Sequence, residues 1–287
     1  MGVKIIEQPM LPPRNKNSHK GTFGTAVLIC GSYGMAGAAV LAGKAALRSG
    51  VGIAKIILPD KIYDIVARQI PEAVFVPLKT SSDGTLCCED IPKICEHIKN
   101  ADSVLFGCGI GMSRDNAEIL NNLINEVRCP FIIDADGINL LSQNIDIIKQ
   151  AAAPIVLTPH PGEMSRLTGK SIGEIEANRI KTARDFADKY GAVTVLKGAE
   201  TVVATRSNTY LNTIGNAGMA TGGSGDTLSG ILAAFLAREG DMDFAVTSAV
   251  WVHSAAGDKA AERLSLTSML PSDIIDELPC LFKKLEG

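Results

Sequence analysis

The chain has 287 residues, a formal net charge of −3 and a mean hydropathy of +0.18. Its Lys and Arg residues form no stripe or cluster, which argues against a nucleic-acid partner. No apolar signal segment opens the sequence, and no apolar run reaches the roughly 18 residues that cross a bilayer, so we expect no membrane partner. The seven cysteines form no CxxC pair and show no zinc spacing. We therefore interpret them as reduced thiols and expect a cytoplasmic protein.

Short apolar runs alternate with helical patterns along the chain. The first run, residues 26–30, leads into a glycine-rich loop at 31–37 and a helical pattern at 38–49. Further apolar runs follow at 53–58, 103–106, 131–133, 155–157 and 193–196. This alternation is typical of a mostly parallel sheet flanked by helices on both faces. We predict a three-layer α/β/α fold that forms a single domain over residues 1–287.

The second half of the chain predicts a long helix, a hairpin and a helical end. A helical pattern covers residues 172–190. The segments 201–204 and 209–211 predict an antiparallel hairpin at the edge of the sheet. Ligands of such sheets bind beyond the carboxyl ends of the strands. The loops that carry glycine, acidic residues and histidine lie at those ends.

The most informative segment is the glycine turn at 222–225, which is followed by Asp226 and a helical pattern. Glycine lets a phosphate approach the backbone closely, and the first turn of a helix offers free N–H donors and the positive end of the dipole. The turn therefore predicts an anion site. Asp226 either complements the dipole as a structural acid or acts as a general base toward a substrate hydroxyl. The adjoining glycines favour the base.

Five polar residues at predicted strand ends each have two interpretations. His160 is either a satisfied loop histidine or a ligand contact, and Glu163 either acts at the site or caps the next helix. Lys197 either binds phosphate or extends its ammonium to solvent from the sheet end. Asp134 and Asp136 either hold magnesium through water or cap the helix that follows them. The structural role is favoured for Asp136.

Several motifs resemble those of a known family. The sequence Gly-Gly-Ser-Gly-Asp at 222–226 resembles the signature of the ribokinase-like superfamily, in which a Gly-x-Gly-Asp turn carries the base. Five more segments, taken in order, resemble the nucleotide-dependent NAD(P)H-hydrate dehydratases. They are Lys-Gly-Thr-Phe-Gly at 20–24, Gly-Met-Ala-Gly-Ala-Ala at 34–39, Asp-Ala-Asp-Gly at 134–137, Thr-Pro-His-Pro-Gly-Glu at 158–163 and Leu-Lys-Gly at 196–198. The resemblance extends over nearly the whole chain and implies a ribokinase-like fold.

The resemblance implies a role for each matching residue. Asp226 would take the proton from the substrate hydroxyl, and Gly222, Gly223 and Gly225 would form the catalytic anion site. The residues that would contact the substrate, beside Asp226, are Ala39, Gly109 and His160. The residues that would hold the nucleotide, beside Gly225, are Lys197, Gly198, Ala199, Glu200 and Thr201. The residues that would organise magnesium indirectly are Asn139 and Glu163.

The resemblance also implies the reaction. The (S)-hydrate of NADH or NADPH would be phosphorylated on its C6 hydroxyl by ADP or ATP, and loss of phosphate would restore the nicotinamide, releasing AMP or ADP. Mg²⁺ would be the cofactor, and the enzyme would be a homotetramer. The alternatives are a ribokinase-like kinase for a vitamin precursor or sugar, an oxidoreductase, and a non-catalytic nucleotide sensor. The loop 31–37 breaks the Gly-x-Gly-x-x-Gly spacing of a dinucleotide site, which disfavours the oxidoreductase.

Overall fold

A single sheet of ten strands runs through the computed structural model, which describes residues 2–286. The strands are β1 (Val3–Ile5), β2 (Thr25–Ile29), β3 (Ile53–Pro59), β4 (Val74–Leu78), β5 (Ser103–Phe106), β6 (Phe131–Ile133), β7 (Ile155–Leu157), β8 (Val193–Leu196), β9 (Val202–Ala204) and β10 (Thr209–Leu211). Their order across the sheet is β1-β10-β9-β8-β7-β6-β5-β2-β3-β4. Neighbouring strands are parallel except in the pairs β8–β9 and β9–β10. The predicted mostly parallel sheet is confirmed.

Helices cover both faces of the sheet. They are α1 (Ala36–Arg48), α2 (Tyr63–Gln69), α3 (Ile91–Ile98), α4 (Arg114–Glu126), α5 (Asp136–Leu141), α6 (Pro161–Thr168), α7 (Ile172–Ala177), α8 (Arg179–Tyr190), α9 (Ser224–Arg238), α10 (Met242–Arg263) and α11 (Pro271–Leu285). Alternate strand residues point to opposite faces, so in β2 Leu28 joins one apolar core while Val27 and Ile29 join the other. The first core contains α1, α2 and α9 to α11, and the second contains α3 to α8. The three-layer arrangement is therefore confirmed.

The topology places several polar residues at one edge of the sheet. Strands β6, β7 and β8 are parallel neighbours, with Ile133 paired to Leu157. Because parallel strands end at a common edge, the residues that follow them, Asp134, His160 and Lys197, lie close together. None of the helices within residues 2–286 combines the length and the apolar character that crossing a membrane requires.

Two predicted elements differ from the structure. Residues 172–190 form two helices, because Asn178 leaves helical geometry with φ −141° and ψ 43°. The hairpin of β9 and β10 is antiparallel as predicted, but it does not form the edge of the sheet, since β1 pairs in parallel with the outer side of β10. The sequence did not reveal β1, because all three of its residues are exposed and no apolar run marks it.

Candidate active site

A cleft of about 910 Å³ opens at the carboxyl ends of β6, β7 and β8. The residues that follow these strands form part of its wall. Much of the rest comes from the loop 197–201, the segment 213–217 and the turn 221–225. Asp226 also lines the cleft. The structure thus brings together the glycine turn, its aspartate and the loops that follow three neighbouring strands.

The glycine turn sets the start of α9. Gly223 is the N-cap residue, and its φ of 96° is a left-handed conformation that favours glycine. A Cβ at this position would lie 2.5 Å from Cδ1 of Leu41 and 3.2 Å from Cγ of Pro271. At Gly222, in contrast, a Cβ would meet nothing within 4 Å. The turn is therefore packed against protein at Gly223 and open at Gly222, which leaves the amino end of α9 accessible to an anion.

Asp226 is the third residue of α9. Burial raises the pKa of its carboxyl to about 6, and the negative charge of Asp134 adds to the rise. A hydrogen bond from the Cys108 thiol and the charge of Lys197 act in the opposite direction. A carboxyl group with this pKa is mostly ionised at neutral pH and is more basic than an ordinary aspartate. Those are the properties of a general base.

Asp134 and Lys197 form a buried ion pair beside Asp226. Nζ of Lys197 lies 2.7 Å from Oδ1 of Asp134, whose side chain is 1% exposed. Oγ of Ser229 donates a hydrogen bond to Oδ2 of Asp134 at 2.7 Å. Burial alone would raise the pKa of Asp134, but Lys197 and Ser229 outweigh it, and the pKa is lowered. Asp134 is therefore an ionised partner of Lys197, and it does not cap α5, whose N-cap is Ala135.

His160 and Glu163 cap the start of α6 reciprocally. Nδ1 of His160 accepts hydrogen bonds from the backbone N–H groups of Gly162 at 2.9 Å and Glu163 at 3.3 Å. The backbone N–H of His160 donates to Oε2 of Glu163 at 2.8 Å. Burial raises the pKa of Glu163 to about 7, although Lys197 lies 3.8 Å away and opposes the rise. The capping role is present, and both residues also line the cleft.

Two residues of the cleft wall have strained backbones. Ala135 has φ 49° and Glu200 has φ 57°, values that residues other than glycine rarely adopt. Each such conformation costs on the order of 1–3 kcal/mol and persists only where the surrounding structure enforces it. Ala135 follows Asp134 directly, and Glu200 lies in the loop that begins with Lys197, so both strained positions are close in sequence to the buried ion pair.

Three of the residues predicted for the site do not line the cleft. Ala39 is fully buried in the core. Gly109 is buried too, and a Cβ there would lie 2.7 Å from Cβ of Ala38. Oδ1 of Asn139 accepts a hydrogen bond from Nη1 of Arg166 at 3.0 Å. The substrate contacts of Ala39 and Gly109 and the magnesium role of Asn139 stay predictions.

The capping role favoured for Asp136 is wrong, although its side chain has a different structural role. It is the first residue of α5 rather than its cap. Its Oδ2 accepts a hydrogen bond from the backbone N–H of Gly111 at 2.9 Å. This bond ties the loop after β5 to the amino end of α5.

Sequence reasoning missed several cleft neighbours. Sγ of Cys108 lies 3.8 Å from Oδ2 of Asp134. His253 was not among the predicted site residues; it is buried in α10 and lines the cleft, with Nε2 3.4 Å from Oγ of Ser224. Burial lowers the pKa of His253 to about 4, so its ring is neutral. Ser229, which donates to Asp134, is the one neighbour that the sequence could have indicated. It follows Asp226 by three residues, a spacing that puts both on the same helix face.

Comparisons with known proteins agree with this geometry. The NAD(P)H-hydrate dehydratase family model matches residues 26–280. A bifunctional NAD(P)H-hydrate repair enzyme from Thermofilum pendens is 38% identical over 99% of this chain, which spans 54% of that enzyme. The ADP-dependent (S)-NAD(P)H-hydrate dehydratase of Bacillus subtilis is 32% identical over 96% of this chain, which spans 95% of its length. The chain thus spans about half the length of the bifunctional relatives.

A solved structure confirms the fold. The crystal structure of the ADP/ATP-dependent NAD(P)H-hydrate dehydratase from Bacillus subtilis, co-crystallised with ATP and Mg²⁺, matches this chain with a TM-score of 0.86 and 31% identity. The match covers 100% of both chains, which confirms the ribokinase-like architecture. Since the family model covers most of the sequence and a relative of similar length exceeds 30% identity, the chain belongs to the NAD(P)H-hydrate dehydratase family.

Proposed function

We propose that this protein catalyses the ADP- or ATP-dependent dehydration of (S)-NAD(P)H-hydrate to NAD(P)H, a hydro-lyase reaction that repairs the damaged dinucleotide. The observation that carries the proposal is the position of Asp226. Its carboxylate, with a raised pKa, directly follows the glycine turn in the cleft. A base next to an anion site suits the transfer of a phosphoryl group to a hydroxyl. The similarity to dehydratases supports this substrate over a sugar or a vitamin precursor.

The chemistry proceeds in two stages. Asp226 accepts the proton of the C6 hydroxyl while the hydroxyl oxygen attacks the terminal phosphorus of the nucleotide. The phosphorus–oxygen bond to the departing AMP (from ADP) or ADP (from ATP) breaks, and backbone N–H groups at the amino end of α9 stabilise the charge on the transferred group. The C6–O bond then breaks as phosphate departs with the bonding electrons, the C5 proton passes to water, and the C5–C6 double bond returns. Phosphate is a better leaving group than hydroxide, so the nucleotide drives the dehydration.

The two substrates occupy different walls of the cleft in this proposal. The loop from Lys197 to Thr201 and Gly225 hold the nucleotide, while His160 and Asp226 face the hydrate. A Cβ on Gly225 would lie 3.3 Å from Nζ of Lys197. Glycine at position 225 therefore lets the ammonium approach the turn where the phosphoryl group would bind. This proximity supports a role for Lys197 next to the nucleotide's phosphates.

The residues expected to organise magnesium do not form a ligand set in this structure. The amide oxygen of Asn139 is engaged by Arg166, and the carboxylate of Glu163 lies 3.8 Å from the ammonium of Lys197. We therefore derive no step through a protein-bound ion. Mg²⁺ enters the proposal only as the companion of the nucleotide phosphates, as in the ATP/Mg²⁺ crystals of the Bacillus subtilis enzyme.

A spectroscopic assay tests the proposed function. The protein is incubated with (S)-NADH-hydrate, Mg²⁺ and either ADP or ATP, and the reduced-nicotinamide absorbance is followed. Recovery of absorbance together with free phosphate is the expected result. A stable phosphorylated product without recovery would indicate a kinase instead. No recovery with either nucleotide, and with either NADH- or NADPH-hydrate, would rule the dehydratase out.

Three further expectations belong to this proposal. The continuous sheet from β1 to β10 supports one domain over residues 1–287. The seven free cysteines support a reducing compartment such as the cytoplasm. A homotetramer is expected from the family resemblance, and sedimentation of the purified protein tests it.

A further inference from the structure

Arg179 is the first residue of α8 and follows the break at Asn178. Its Nη2 donates hydrogen bonds to the backbone carbonyls of Leu196 at 3.0 Å and Lys197 at 3.2 Å. Its Nη1 donates to the carboxylate of Glu176 at 3.1 Å and 3.3 Å. One guanidinium group thus links the end of α7 to the point where β8 passes into the loop 197–201.

The guanidinium also lies against Gly198. The φ of Gly198 is 144°, and a Cβ there would lie 2.9 Å from both Nη1 and Nη2 of Arg179. Glycine at this position therefore allows the planar group to approach the loop backbone closely. Two residues further on, Glu200 has its strained φ of 57°. The shape of the loop is held at its start by the contact between Arg179 and Gly198.

Arg179 contacts the loop from outside the cleft. It lines a second cavity of about 750 Å³, bounded by β9, β10 and the amino end of α8. Arg179 does not line the cleft, whereas Gly198, Ala199 and Thr201 do not line the second cavity. Glu200 lines both cavities. The loop therefore lies between the cleft, where the nucleotide is proposed to bind, and the cavity that Arg179 lines, and Glu200 belongs to both.

We propose that Arg179 is a positioning residue that holds the loop 197–201 in its nucleotide-binding shape without contacting the nucleotide. The inference rests on the proposed function in so far as the cleft is taken to bind ADP or ATP. An arginine suits this role better than a lysine. Its planar group presents donors in a fixed fork that can bond two carbonyls and a carboxylate together. The break at Asn178 has a function in this arrangement, because it frees α8 to begin with Arg179 next to the loop.

Arg184 provides a matched control. It lies on the same helix, lines the same second cavity, and donates hydrogen bonds to the backbone carbonyls of Thr205 at 3.2 Å and Arg206 at 3.3 Å. Those carbonyls belong to the β9–β10 turn and not to the loop 197–201. Arg184→Ala therefore removes a comparable arginine clamp on a backbone that is remote from the proposed nucleotide.

The test is calorimetric titration of ADP and of ATP into the wild type, Arg179→Ala, Arg179→Lys and Arg184→Ala. The expected result is a dissociation constant about tenfold higher for Arg179→Ala, within the range seen for residues that share a hydrogen-bond network. Arg179→Lys should fall between, and Arg184→Ala should match the wild type. In turnover assays the KM for the nucleotide should rise with the dissociation constant, while kcat and the KM for the hydrate stay near wild-type values.

The outcomes separate the two proposals. If the wild type binds nucleotide and Arg179→Ala and Arg179→Lys both bind it equally well, the positioning role of Arg179 is overturned while the proposed function stands. If Arg184→Ala weakens binding as much as Arg179→Ala, the effect is a general loss of stability and the proposal also fails. If the wild type binds neither ADP nor ATP, the proposed function fails and the positioning role fails with it. Arg179→Lys keeps the test decisive should Arg179→Ala not fold.

Discussion

Asp226 and Asp134 present carboxylate oxygens within 4.8 Å of each other, and the thiol sulfur of Cys108 lies within the same distance of both. Their surroundings shift the two pKa values in opposite directions. Asp134 has Lys197 as its ion-pair partner, and its pKa is lowered. Asp226 makes no ion pair with any residue from 2 to 286, and burial raises its pKa to about 6. Two neighbouring acids with pKa values pushed apart give one permanent anion and one proton acceptor.

Asp226→Asn should lower kcat by about 10²- to 10⁴-fold, the usual contribution of positioned proton transfer. The amide has nearly the shape of the carboxylate but cannot accept the proton at the required basicity. Nucleotide affinity, measured by titration calorimetry, should stay near that of the wild type. A variant that retains wild-type turnover would remove Asp226 from the mechanism.

The kcat/KM for the hydrate should rise with pH through about 6 and then level off, because Asp226 must be ionised to accept a proton. The pKa of Glu163 is about 7 and lies in the same charge network. A Glu163→Gln variant tests which acid is responsible for the acidic limb. If the limb persists near pH 6 in this variant, it belongs to Asp226. If the limb disappears, the assignment to Asp226 is wrong.

Asp226→Asn should also be more stable than the wild type above pH 6. The folded-state pKa of Asp226, about 6, exceeds the ordinary value of 3.8. Its protonated form is therefore favoured in the folded state, and that stability is present at low pH and lost as the pH rises from about 4 to 6. The asparagine does not titrate, so the free energy of unfolding of the variant should exceed that of the wild type by about 1–3 kcal/mol above pH 6. Urea unfolding at pH 8 and pH 4 should show the difference at pH 8 and little of it at pH 4.

Lys197→Met should destabilise the fold by about 3–5 kcal/mol, because it leaves the buried carboxylate of Asp134 without its ion-pair partner. The exposed pair between Lys181 and Asp185 offers the control. Lys181→Met should cost less than about 1 kcal/mol. Adding Asp134→Asn to Lys197→Met should recover part of the lost free energy of unfolding. Equal costs for the two lysine variants would contradict the assigned importance of the buried pair.

Gly223→Ala should cost about 1–3 kcal/mol of stability, because its φ of 96° strains an alanine. The added Cβ would also press on Leu41. The variant should lose turnover, since the turn that begins α9 would shift. Gly222→Ala is the matched control, because a Cβ there meets nothing within 4 Å and should leave stability nearly unchanged. Comparing thermal midpoints and turnover for both variants tests the packed and open sides of the turn.

Local sequence signals predicted the scaffold of this site well. Apolar runs marked the parallel strands of the sheet interior, because strands buried on both faces need continuous apolar residues. The glycine turn at 222–225 predicted the start of α9, since its special backbone requirement lies within a few residues. The helical pattern that follows predicted a buried helix, which α9 is.

Relationships between distant residues could not be predicted in the same way. Lys197 and Asp134 meet only because β8 and β6 flank β7 in the sheet. From the sequence, Asp134 was interpreted as a metal ligand or a helix cap. No residue near it in sequence indicates that its partner is the ammonium of Lys197. The helix break at Asn178 was missed for a related reason, since the carbonyls that Arg179 contacts follow it by many residues.

Strand β1 has a consequence for how the chain folds. Val3 pairs with Thr209, which lies in β10. The edge strand β1 therefore has no pairing partner until β10 has been synthesised. Its exposed valine and isoleucine, 41% and 54% accessible, contribute little attraction of their own. Closing so long a stretch of chain is slow and entropically costly. We therefore expect the docking of β1 to be a late event during synthesis, after the nine strands from β2 to β10 have assembled.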